Sequence, residues 1–194
     1  MKIRMETRQE QKERRRQEII YVALELFVKK GYAATKITDI AQMAGMSTGL
    51  LFHYFDSKEA LYEELVKLGL QGTKFPIEQK CEHAIDFFTT FAAMLFRQLE
   101  AEPLIAKMFV LMAEAQRKEG TPPRIRELAL QVDTIDAFVP IVEWGQKEGS
   151  IREGDARVIS NAFWCSIQGI AENYASNQSI ALPDSEWIVD MIRR

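Results

Sequence analysis

The sequence is poor in the residues on which several chemistries depend. Only two cysteines, Cys81 and Cys165, occur in 194 residues. Each falls inside an apolar helical pattern, so a disulfide framework is not expected and both should pack as small hydrophobes. The two histidines are His53 and His83. Cys81 and His83 alone make too small a set for a zinc site, and the Glu-x-x-His pairs of di-iron bundles are missing. A metal, a cofactor and a helical-bundle enzyme are therefore not expected. Nowhere do about eighteen apolar residues run without a charge, and no apolar segment follows the basic N-terminus. This predicts a cytoplasmic protein with no membrane contact. Period-two runs of β-branched residues, internal repeats and low-complexity tracts are absent as well.

What remains is a composition of 47% hydrophobic and 27% charged residues with six prolines, that of an ordered globular chain. The net charge of -3 is unevenly spread. Residues 1–58 carry eleven Lys/Arg against seven Asp/Glu, or +4, which leaves fourteen against twenty-one, or -7, for the rest. A basic quarter on an acidic body suits an anionic partner for that quarter only.

Almost every segment has helical spacing, so the expected class is all-α. Ile19, Ala23 and Leu26, with Ile20 and Phe27 beside them, mark an amphipathic helix over residues 9–30 that Gly31 should stop. Thr38 is expected to cap a second helix of barely two turns, with Asp39 at its positive end. After Gly45, Ser47 should cap a third short helix ending near Phe55, and Ser57 a fourth carrying Leu61, Leu65 and Leu68. Longer helices are predicted over 76–102, 103–118, 124–147 with a kink at Pro140, 155–175, and 185 to the C-terminus.

Two very short helices around one Ala-Gly-Met step imply a steep crossing. Gly45 supplies the turn, and Ala41 and Ala44 keep the crossing close. Leu51 and Phe55 can share a core with Ile40 while Thr48, Leu50 and His53 fall on the opposite side. A helix buried along one edge and exposed along the other is how a helix-turn-helix offers its recognition helix to the major groove.

The run Thr38, Ile40-Ala41, Ala44-Gly45-Met46-Ser47, Gly49, Leu51-Phe52, Tyr54-Phe55, Ser57-Lys58-Glu59, Leu61 resembles the DNA-binding signature of the tetracycline-repressor (TetR/AcrR) family of bacterial transcription regulators. The resemblance covers about fifty residues, from the first helix to the start of the fourth. It implies an N-terminal three-helix helix-turn-helix domain over 1–58 and a C-terminal helical bundle for ligand binding and dimerisation over 59–194. Thr38 and Lys58 would meet phosphates at helix N-termini, and Ser47, Thr48 and Gly49 would lie against the groove edge. Leu50 can meet a thymine methyl, and His53 and Tyr54 would complete the contact. At Phe52 the family usually has tyrosine, so apolar packing on sugar replaces a hydroxyl contact, or Phe52 serves the core. Lys12, Arg14, Arg15 and Arg16 either neutralise phosphates or are merely solvated.

In the body, residues 77–99 are apolar on two faces, with Ile77, Cys81 and Ile85 beginning one and Phe87, Phe91 and Met94 forming the other. Facing them in the sequence pattern are Met108, Met112, Phe138, Trp144, Phe163, Trp164 and Gln168. Together these form a candidate pocket for a small apolar or aromatic ligand, though an ordinary bundle core needs the same stripe. In the family the last two long helices of each subunit build the dimer. Here that role would fall to Ala162, Cys165, Gly169 and Glu172, a face of mostly small residues, sealed by Trp187, Ile188 and Met191. The function implied is a ligand-responsive repressor binding a near-palindromic operator as a homodimer. A DNA-binding dimer whose body is a protein-interaction module has the same sequence signature.

Overall fold

The computed structural model describes residues 7–72, 81–117 and 120–194, and among them every regular element is a helix. They are α1 (Arg8–Ala34), α2 (Ile37–Met43), α3 (Thr48–Phe52), α4 (Lys58–Gly72), α5 (Ala84–Ala101), α6 (Pro103–Gln116), α7 (Pro123–Ala129), α8 (Thr134–Glu148), α9 (Ala156–Ser176) and α10 (Ser185–Asp190). The all-α class expected from the sequence is the class observed. None of these helices is long and apolar enough to cross a membrane.

The described residues fall into two compact units. One comprises residues 7–69 with 111–117 and 120–129, and the other residues 70–72, 81–110 and 130–194. The split differs from a single cut after residue 58. Most of α4, the end of α6 and all of α7 belong with the N-terminal helices, because α4 carries Leu61, Tyr62, Leu65 and Val66 into full burial.

In the first unit α1 begins with a capping box ahead of the apolar stripe. The Thr7 hydroxyl accepts from the Glu10 amide at 3.2 Å, and the Glu10 carboxylate accepts from the Thr7 amide at 2.7 Å. Gly31 breaks the helix as expected, at φ 77° and ψ 161°. The carbonyls freed there are met by Thr35, whose buried hydroxyl donates to Gly31 O at 2.7 Å and Leu26 O at 3.2 Å. On the inner side Phe27 and Tyr62 meet edge to face at 4.9 Å. Burial in this setting raises the Tyr62 phenol to about 12.

The second unit is organised around α5, whose Phe87, Phe88 and Phe91 interlock with Phe138 of α8 and Phe163 of α9. Ring centroids in this group lie 4.8–6.1 Å apart. Ile85, Ala92, Leu95 and Leu99 extend the same core along α5. Beyond α10 the chain returns as an antiparallel bridge between Ile151 and Arg193.

Several boundaries are corrected. Residues 124–147 form two helices, not one. They part because the Asp133 carboxylate caps α8, accepting from the amides of Ile135 at 3.0 Å and Asp136 at 3.2 Å, and α8 runs through Pro140. The described part of the segment read as 76–102 is helical only from Ala84. Pro76 and Ile77 lie outside the described residues, as does Lys118, and Cys81 precedes the helix. The expected long last helix is six residues. Cys81, half-buried, packs against the core of the second unit as a small hydrophobe, whereas Cys165 is exposed and does not.

Candidate nucleic-acid interface

The interface is built on the turn between α2 and α3. Helix α2 ends in a Schellman motif. Gly45, in the left-handed region at φ 65°, donates to Gln42 O at 3.1 Å, and Met46 donates to Ala41 O at 3.0 Å. The abrupt stop at Ala44-Gly45-Met46 is this motif, and it leaves Ser47 to start the next helix at once. The Ser47 hydroxyl accepts from the Leu50 amide at 3.2 Å, as the capping reading required.

Helix α3 is held by two side chains. Leu51 is 0% exposed, and Phe55, just past the helix, is buried beneath the Arg16 guanidinium at 5.1 Å. The same Arg16 reaches Glu64 of α4 at 2.7 Å, so one cation steadies both α4 and the rear of the recognition helix. Turning away from Leu51 at 100° per residue puts Gly49 and His53 outermost, with Leu50 and Phe52 on the two flanks. Exposure agrees: Leu50 is 46% and Phe52 45% exposed, Gly49 and His53 are open, and Thr48 and Tyr54 are half-buried. Phe52 thus does not serve the core, and Thr48 lies deeper than the sequence pattern suggested. Gly49 has open space around it, since a Cβ there would meet only Ser47 Oγ, at 4.0 Å.

Two expected phosphate groups sit differently from the pattern. Thr38 is not the cap of α2. Lys36 holds that position with no side-chain bond, and Thr38 is an exposed residue of the first turn. Lys58 turns its ammonium onto α1, donating to Tyr32 O and Thr35 O at 2.8 Å each and lying 4.1 Å from the Tyr32 ring centroid. Desolvation there lowers its pKa from the ordinary lysine value. The arginines of the basic run are also engaged: Arg14 and Arg15 hold Glu18 at 2.6 and 2.7 Å, and Arg16 holds Glu64. Lys30 bonds Asp39 at 2.9 Å, and this hydrogen bond keeps the Asp39 carboxyl below the usual carboxylate range.

The other predicted sites are partly assembled. Phe87, Phe91, Phe138 and Phe163 come together as one ring cluster, with Trp164 6.1 Å from Phe138 and 5.9 Å from Phe109. Met94, Met108 and Gln168 are half-buried in the second unit. Met112 belongs to the first unit instead, and Trp144 is 38% exposed rather than part of the cluster. Along α9, Ala162, Cys165 and Gly169 form an exposed strip, and Glu172 is half-buried. Trp187 is 68% exposed and Met191 also open, whereas Ile188 faces the core and is removed from the expected interface. Val158, 64% exposed and one turn from Ala162, extends this open strip, a position legible from its i, i+4 relation to Ala162.

Residues 19–65 match the family model described as bacterial regulatory proteins, tetR family. The HTH-type transcriptional repressor KstR2 of Mycobacterium tuberculosis is 40% identical over 160 residues, covering 79% of this chain and 80% of that protein. The crystal structure of the MbdR regulator from Azoarcus sp. CIB has the same fold, with a TM-score of 0.78 at 21% identity over 91% of this chain and 96% of that one. FadR from Bacillus subtilis in complex with stearoyl-CoA gives 0.64 at 21% identity, over 90% and 96%. Identity of this extent, together with a helix-turn-helix whose recognition helix is anchored and open as described, shows that the chain belongs to the TetR family of ligand-responsive, DNA-binding transcriptional regulators.

Proposed function

We propose that the protein is a homodimeric repressor that grips a near-palindromic operator with α3 and lets go when a bulky hydrophobic effector occupies the second unit. The observation that carries the DNA half is the exposure pattern of α3. Leu51 and Phe55 are rooted, while Gly49, Leu50, Phe52 and His53 stand clear for a groove. In this reading Ser47, Thr48 and Tyr54 border the contact and Thr38 meets the backbone from the first turn of α2, whereas Lys58 braces the end of α1 and is not among the phosphate contacts. One five-residue helix reads few base pairs, so specificity calls for two copies on half-sites about 34–36 Å apart, or a multiple of that. The exposed strip of Val158, Ala162, Cys165 and Gly169, with Trp187 and Met191, supports pairing through α9.

For the effector, the support is the phenylalanine cluster with Trp164 and Phe109 packed against the same core, and the stearoyl-CoA held by the FadR relative. The effector must bind the DNA-incompetent state more tightly, or no release follows. Rings already packed on one another favour the second reading, a body that serves as a protein-interaction module. Selection of bound duplexes from a randomised pool, followed by titration with stearoyl-CoA, separates the two. Enrichment of a near-palindrome that the acyl-CoA releases supports the effector-driven repressor. An enriched site indifferent to it moves the body to the second reading, and no enrichment sinks both.

A further inference from the structure

The recognition surface is unusual in what it does not carry. Residues 47–54 read Ser-Thr-Gly-Leu-Leu-Phe-His-Tyr, without Arg, Lys, Asn, Gln, Asp or Glu. The bidentate pairs that identify guanine or adenine in the major groove, from Arg or Lys and from Asn or Gln, are therefore out of reach of α3. The Ser47 hydroxyl accepts from the Leu50 amide, which leaves it a single O–H to donate and no bidentate reach. Thr48 and Tyr54 are half-buried, which leaves the two capping residues, Ser47 and His53, as the exposed polar side chains of the segment. Between these caps α3 exposes two large apolar groups, Leu50 and Phe52, each nearly half open. The one apolar group that a major-groove base edge offers is the thymine C5-methyl.

We infer that Leu50 and Phe52 are specificity-determining residues that select thymines by their C5-methyl groups, so each half-site is read chiefly through methyl contact. The inference rests on α3 being the recognition helix. It is tested on duplexes enriched from a randomised pool, with each thymine replaced in turn by deoxyuridine, which removes the methyl and keeps the pairing. At one or two positions per half-site affinity falls about fourfold, the worth of one buried methyl-sized group, and on the order of fifteenfold when both half-sites are changed. Exchanging thymine for 5-methylcytosine there costs less than exchanging it for cytosine. Leu50→Ala abolishes the deoxyuridine penalty at one position and Phe52→Ala at the other. Both side chains are exposed, so the variants keep their fold. Deoxyuridine without effect at every thymine, or a penalty that survives both variants, overturns the inference while leaving DNA binding intact. Failure to enrich any duplex removes the underlying reading, and the inference with it.

Discussion

At the scale of single residues, Lys58 shows how a motif position can be occupied yet engaged elsewhere. Its ammonium closes two carbonyls at the C-terminal end of α1, a site where a cation also complements the helix dipole. Lys58→Met should cost roughly 1–3 kcal/mol of stability, measured by urea unfolding, because two charge-assisted bonds disappear. The slope of log affinity for DNA against log salt should stay unchanged, whereas loss of a true phosphate contact lowers it by about 1 per half-site. A reduced slope would return Lys58 to the set of backbone contacts. Arg16 is a similar case, for its place in a basic run suggests phosphate, but Phe55 and Glu64 claim it.

At the scale of elements, what was legible in the sequence follows from how local the signal is. The short helices around Gly45, the Ser47 cap and the inward Leu51 depend on residues within four positions of one another, and the structure has them. Misplaced features hinged on distant partners. The break before α8 is the exception, a local cap by Asp133 on the amides of Ile135 and Asp136 that helical spacing alone overlooks. Ile188 and Trp187 are neighbours in sequence, and only packing of α10 on α5 decides which one is buried. Gly145 is another such case, unremarked in sequence. A Cβ there would overlap the Ile151 side chain and approach Ala84 Cβ to 3.0 Å, so this glycine lets α8, α5 and the 151 segment meet. Gly145→Ala should destabilise the protein by about 1–3 kcal/mol in thermal or urea unfolding, despite the better helix propensity of alanine. An unchanged or raised midpoint would mean that the contact relaxes freely.

At the scale of the whole molecule, the open strip on α9 and α10 leaves Val158, Trp187 and Met191 in water unless a second copy covers them. Trp187→Glu places a charge where an apolar anchor is expected, so the dimer should weaken by an order of magnitude or more in sedimentation or native mass spectrometry. Binding to a two-half-site duplex should fall with it, while the circular dichroism of the helices persists. An undiminished dimer would place the interface elsewhere.

In the proposed complex α3 enters the groove with its backbone close to DNA at Gly49. Salt-dependent fluorescence anisotropy of Gly49→Val beside the parent protein, on a duplex enriched by selection, tests it most directly. The position has room for a side chain in the free protein, so the variant should fold and dimerise normally. Sequence-specific affinity should be lost, with only weak, steeply salt-dependent binding remaining. Equal dissociation constants for the two proteins would contradict it and place the recognition surface elsewhere.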